Sequence, residues 1–306
     1  METKFLSTRQ TGSDESIERG PTFMRVFITG ASGYIGKHVA LELLSRGHQV
    51  VGLARKPSER TTYSTGVDWR FADLSDFDAY WGDLAGSDAV VHCAMDYSDG
   101  SENSDLDREF VTRVAEFSGR FLYTGNLFSE RTDGPLEESL QTSSEHWRYQ
   151  AEEAVIGASQ QTSVIRLGFV YGGSGGYFWE ILSPGTLAQF ETEPVPDVMW
   201  PMVHVKDVAR LYASVLESNE TGVFHAFDGV PVQAAQIIES ARAVYESRGI
   251  SSTESRDYIQ GLLKSSVLTS NQRAVSTGWR PVSSSFVENA ELAFSEYTDR
   301  PDNKGE

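Results

Sequence analysis

Three glycines at fixed spacing, Gly30, Gly33 and Gly36, are the residues here whose type and placement speak most directly of chemistry. In Thr29-Gly-Ala-Ser-Gly-Tyr-Ile-Gly36 the first glycine permits a tight turn and the second lets the backbone approach a pyrophosphate. The third lets a helix pack closely on a strand, and that helix turns its free N–H groups and positive dipole end toward the phosphates. The motif follows an apolar run from Met24 to Ile28, opens an amphipathic stretch, and precedes a second apolar run ending in Leu53-Ala-Arg55. Where an acid at that second end would bind ribose hydroxyls, Arg55-Lys56 stands instead, and those cations suit a 2′-phosphate. The residues therefore predict a dinucleotide site built from Gly30, Ser32, Gly33, Tyr34, Ile35, Gly36 and Arg55, with NADP(H) preferred and NAD(H) admissible. Asp73-Leu74, after a third run, sets a carboxylate near the adenine amine, and Ala94, after a fourth, leaves room beside the cofactor. His146 titrates near neutral pH without assistance, so it is an acid/base candidate if it faces that cofactor.

The elements that must position these residues alternate. Strands are predicted at Arg25–Ile28, Gln49–Leu53, Asp68–Phe71, Ala89–Cys93, Arg120–Thr124 and Ser163–Leu167. Helices are predicted near Tyr34–Arg46, Phe77–Leu84, Asp105–Phe117 and Ser144–Ala158. Short buried strands interleaved with amphipathic helices give an α/β chain, a Rossmann-type doubly wound parallel sheet of six or seven strands. Beyond Tyr171 the pattern weakens: Gly172-Gly-Ser-Gly-Gly176 reads as a turn, and Pro184, Pro194, Pro196 and Pro201 interrupt the chain after it. Helices at Val205–Glu217, Val232–Glu246 and Ser285–Tyr297 complete a smaller C-terminal substrate lobe. The division expected is a disordered tail over residues 1–22, a dinucleotide-binding domain over 23–170, and a lobe over 171–306 with some segments returning to the core.

Composition narrows the function classes. A formal charge of −18 repels nucleic acid and anionic membranes at long range. The lone Cys93 allows no intrachain disulfide and no cysteine-based zinc site, and no metal-ligand spacing occurs. Without an apolar run of roughly 18 residues or a signal-peptide core, the expected compartment is the cytoplasm. No Gly-x-Ser-x-Gly elbow supports a hydrolase. Trp147, Trp179, Trp200, Phe178 and Tyr177 read equally as pocket lining or as core.

These segments together resemble the extended or atypical short-chain dehydrogenase/reductases, the NAD-dependent epimerase/dehydratase group, from about Met24 to Tyr297. The resemblance rests on Thr29–Gly36, Asp73-Leu74, Val90-Val-His-Cys-Ala94, Ile165-Arg-Leu-Gly-Phe-Val-Tyr-Gly172, Val203-His-Val-Lys-Asp-Val-Ala209 and Gly278-Trp-Arg-Pro281. It implies a cleft between the lobes with the nicotinamide at its base, and a small-molecule substrate. It also implies pairing into a homodimer, and a tyrosine whose pKa is lowered by a lysine four residues on. The corresponding helix, Ser144-Glu-His-Trp-Arg-Tyr-Gln-Ala-Glu-Glu153, holds no lysine. With Tyr149 as the tyrosine, Glu153 takes the lysine's place, and a carboxylate there raises a phenol's pKa. In a second register His146 and Gln150 take the two positions.

Thr124 or Asn126 fills the strand-end hydroxyl site. The Thr124-Gly125 pair and Trp147–Glu153 are also similar to progesterone 5β-reductase and iridoid synthase-type members, which implies Tyr149 as proton donor to an enolate oxygen. His204 and Asp207 read as structural, Asp207 by capping or pairing locally, and Arg166 and Tyr171 as bordering the cleft. Two functions stay open. One is an NADP(H)-dependent oxidoreductase acting on a small carbonyl, enone or sugar-like substrate. The other is a non-redox isomerase or lyase, or a non-catalytic dinucleotide binder.

Overall fold

The computed structural model describes residues 23–95, 104–128, 135–140, 146–158, 161–191, 195, 197–251, 266–283 and 285–298. The expected tail, and Ser144-Glu145 of the fourth predicted helix, lie outside them. The first half runs β1 (Arg25–Thr29), α1 (Tyr34–Ser45), β2 (Gln49–Ala54), β3 (Val67–Phe71), α2 (Phe77–Ala85), β4 (Ala89–His92), α3 (Ser104–Val114), β5 (Arg120–Asn126), α4 (Trp147–Ala158) and β6 (Thr162–Leu167). The chain continues through β7 (Phe169–Tyr171), α5 (Phe178–Ile181), α6 (Pro184–Ala188), β8 (Met199–Trp200), β9 (Met202–His204) and α7 (Val205–Glu217). It ends with β10 (Gly222–Ala226), β11 (Val232–Gln233), α8 (Ala234–Ser247), α9 (Gln272–Ser276) and α10 (Phe286–Thr298).

Seven strands form one parallel sheet in the order β10-β6-β5-β4-β1-β2-β3. Alternation along each strand assigns side chains to its two faces. Val26, Ile28, Val50, Val91, Leu122 and Ile165 pack under α1 and α7, while Phe27, Val51, Val90, Phe121 and Val164 pack under α2, α3 and α4. Burial on both faces is why these strands read as near-continuous apolar runs. Helix α1 buries Val39, Ala40 and Leu43 at helical spacing. It stops at Gly47, whose φ of +87° lets Gly47 N and His48 N bond back to the Leu44 and Leu43 carbonyls. Truncating Leu43 to alanine would cost about 2–5 kcal/mol.

The later segments build a second core. Trp179, Trp200, Phe178 and Phe286 are buried together with α8 and α10, so three of the five aromatics weighed as pocket or core are core; Tyr177 is exposed and Trp147 half-buried. Pro184 opens α6 behind Ser183, whose hydroxyl accepts from Thr186 N. Strand β10 leaves this lobe and closes the main sheet beside β6. Among the described residues no helix is long and apolar enough to cross a membrane.

Candidate dinucleotide and active site

After β3 the chain returns to the opposite flank of β1, so β1 and β4 are neighbours whose connections leave in opposite directions. Ligands of open α/β sheets bind at such a switch point, beyond the carboxyl ends of the strands. The glycine turn sits there. Gly30 has φ +66°, and a Cβ on it would lie 2.7 Å from Ala94 N, so only glycine lets β1 turn so close to the end of β4. A Cβ on Gly36 would overlap the Gly30 carbonyl oxygen, which is how the helix comes to lie against the strand end. Gly33 donates to Gly30 O at 2.8 Å and is the N-cap of α1, with no side-chain cap and no acid in the first turn. An uncapped, acid-free helix start behind a turn bounded by two glycines fits an anionic pyrophosphate.

The other expected cofactor residues are distributed around this turn. Ser32 and Ile35 are half-buried. Tyr34 donates to Gly172 O at 2.6 Å. Arg55 and Lys56 are exposed beyond β2. Asp73 Oδ1 accepts from Ser75 N at 3.0 Å and Ser75 Oγ at 2.7 Å, shaping the turn into α2, while Leu74 packs on the adjoining core. Ala94 N donates to Thr29 Oγ at 3.3 Å.

At the end of β5, Thr124 Oγ donates to the His92 carbonyl at 2.6 Å and pairs with Tyr212 OH at 2.6 Å. Its hydrogen is therefore committed inward. Burial pushes the neighbouring Cys93 thiol up to about 12, too high for a thiolate nucleophile at neutral pH. Asn126, half-buried, accepts from Phe128 N at 2.9 Å through Oδ1.

On α4, His146 stands at the helix start and its Nδ1 accepts from Arg148 N at 3.3 Å. The neutral ring then carries its proton on Nε2. Tyr149 is 3% exposed, and its ring lies 4.9 Å from the Arg166 guanidinium. Arg166 Nε donates to Glu152 Oε2 at 2.8 Å with both side chains fully buried. Burial raises the Glu152 carboxyl and the Arg166 charge opposes that rise.

Two expectations change here, and the local pairing expected of Asp207 holds with an addition. Arg166 and Tyr171 are internal, not cleft-bordering. Asp207 pairs with Arg210 at 2.8 Å but also accepts from the distant Val282 N and Ser283 N. His204, as expected, is structural: it caps α7 by accepting from Lys206 N.

Arg148, not a lysine, is the cation in the first turn of α4. It is buried, stacked 4.6 Å from Trp147, and its charge acts on Tyr123 and Glu152. Its position beside Tyr149 was the available signal. The described residues also line cavities. One of about 520 Å³ is lined by Glu138, Ser270 and Arg273, and one of about 230 Å³ by His204, Arg210 and Glu296.

Residues 26–144 match the family model for the NAD dependent epimerase/dehydratase family. The uncharacterized Saccharomyces cerevisiae protein YLL056C is 31% identical over 229 residues, 68% of this chain and 76% of that one. The dTDP-4-dehydrorhamnose reductase of Mycobacterium tuberculosis is 24% identical over 250 residues, 74% of this chain and 76% of that one. In fold the chain is similar to the Bordetella bronchiseptica enzyme WbmH in complex with NAD+, with TM-score 0.69, 21% identity, and coverage of 91% and 99% of the two chains. It is similar also to the Thermus thermophilus UDP-glucose 4-epimerase in complex with NAD, with TM-score 0.68, 20% identity, and coverage of 90% and 99%. The chain belongs to the NAD dependent epimerase/dehydratase family.

Proposed function

We propose that this protein is an NADP(H)-preferring oxidoreductase of the cytoplasm acting on a small carbonyl, enone or sugar-like substrate. The observation that carries this is the glycine turn: Gly30 folded against Ala94, Gly36 against Gly30, and an uncapped α1 behind them. Gly30, Ser32, Gly33, Ile35 and Gly36 would hold the pyrophosphate and Ala94 would leave space for the nicotinamide side. The exposed Arg55, with no acid at the end of β2, would receive a 2′-phosphate. The bound dinucleotide supplies hydride transfer.

For the proton, His146 is favoured over Tyr149. Its Nδ1 accepts from Arg148 N and the ring is half-buried at the start of α4, whereas the phenol is buried under the Arg166 guanidinium. For the substrate oxygen, Asn126 is favoured over Thr124, whose hydrogen goes to the His92 carbonyl. A second reading, a non-redox or non-catalytic dinucleotide binder, draws support from the exposed Glu153 in the lysine's position and from the burial of Tyr149.

Calorimetric titration with NADPH, NADH and their oxidised forms tests the proposal. Tight NADPH binding that weakens about tenfold in Arg55→Ala, roughly 1.4 kcal/mol, with NADH binding unchanged, is the expected result. Absence of binding to every form would sink it.

A further inference from the structure

Beneath the glycine turn, on the α3 side of the sheet, four buried polar side chains form one unbroken chain. Thr29 Oγ lies 2.7 Å from His92 Nδ1, His92 Nε2 lies 3.2 Å from Asp107 Oδ1, and Tyr123 OH donates to Asp107 Oδ2 at 2.8 Å. None is more than 3% exposed. The His92 ring is stacked on Phe110 at 4.1 Å, which fixes its plane.

The donors fall into one order. An ionised Asp107 only accepts, so His92 Nε2–H donates to one of its oxygens while Tyr123 donates to the other; the neutral ring then offers Nδ1 as acceptor, and the Thr29 hydroxyl, which accepts from Ala94 N, donates to it. Thr–His–Asp is the order of a nucleophilic triad, but a hydroxyl sealed under the sheet has no substrate to attack. What the chain does join is β1, β4, β5 and α3, starting one residue before Gly30.

We propose that His92 and Asp107 are positioning residues for the dinucleotide turn. Gly30 and Ala94 meet with no room for a Cβ, so a shift of a few tenths of an ångström between β1 and β4 redirects the amides of the turn. The chain through His92 and Asp107 prevents that shift by anchoring Thr29 to a helix and a third strand, independently of the bond from Ala94. The consequence for affinity rests on the proposed dinucleotide binding; the consequence for the turn does not.

The test is a triple variant, His92→Phe, Asp107→Leu, Tyr123→Phe. It keeps the ring stack and strands no buried carboxylate, because both ends of the His92–Asp107 and Asp107–Tyr123 bonds become apolar, while Thr29 keeps the bond from Ala94 N. Two quantities are read: hydrogen exchange of the Gly33 amide, which bonds to Gly30 O, and the dinucleotide Kd. The expected result is a retained circular dichroism spectrum and cooperative unfolding, Gly33 exchange about tenfold faster, and a Kd weakened about tenfold. An intact fold with unchanged exchange overturns the proposal. Should the triple variant not fold, His92→Gln and His92→Phe decide, since both leave the Ala94 bond to Thr29 in place: glutamine holding both readouts while phenylalanine loses them supports the relay, and equal behaviour overturns it. If the unaltered protein binds no dinucleotide, the functional reading falls, and exchange at Gly33 alone judges the positioning role.

Discussion

At the carboxyl ends of β1 and β4 the geometry is made by backbone. Gly30 bends left-handed, Gly36 presses on its carbonyl, and every group involved lies within eight consecutive residues or directly across from them. Two strands along the same edge, under α4, geometry is made by charge: Arg166 and Glu152 are sealed between helix and sheet with Tyr149 stacked on the guanidinium. The first region tolerates no added atoms, and the second tolerates no lost partner. A backbone cradle carries no titrating group and is shaped for a ligand, whereas the buried ion pair spends its charges on each other, with Glu152 Oε1 left without a hydrogen bond among the described residues.

The largest effect expected is at the ion pair. Arg166→Leu leaves the Glu152 carboxylate buried alone and should cost about 3–5 kcal/mol in urea unfolding, while Arg166→Met combined with Glu152→Leu should restore most of it. Dinucleotide affinity should hardly move in the restored protein. A loss under about 1 kcal/mol for the single change would erase the contrast between the two regions.

At the cradle the expected pattern is reversed. Gly36→Val should lower dinucleotide affinity at least about a hundredfold, because its Cβ meets the Gly30 backbone and not a yielding side chain. Titration of a variant that still unfolds cooperatively checks this, and near-normal binding would show the turn to be softer than its contacts imply.

A smaller effect belongs to neither region. Asp228, just past β10, is pushed up to about 6 by burial, with the bond from Val230 N opposing. A carboxyl raised in the folded state binds its proton there more tightly than in the unfolded chain. It therefore destabilises the fold progressively as pH rises from about 4 to about 6. Asp228→Asn should stabilise by about 1–2 kcal/mol at about pH 8 and by nothing measurable near about pH 3.5; equal effects at both pH values would refute the burial account.

How far each region was legible in the sequence depends on the same contrast. The turn could be read because its parts are contiguous and each glycine has a separate steric reason, and the sheet because two-faced burial writes apolar runs of strand length. The pairing of Arg166 with Glu152 could not, since one arginine on a strand and one glutamate on a helix leave no periodic trace. Nor could the inward commitment of the Thr124 hydroxyl, whose partner Tyr212 lies 88 residues away. Arg148 was visible and passed over because the pattern sought was a lysine.

The bond from Tyr34 to Gly172 reaches 138 positions down the chain, and the Tyr34 ring lies where a Cβ on Gly175 or Gly176 would fall. Both glycines also have positive φ, +119° and +79°. A side chain there is thus excluded twice, by its own backbone and by a ring from the other glycine motif. Trimming Tyr34 removes only the second obstacle, so substitutions in the two motifs should combine non-additively.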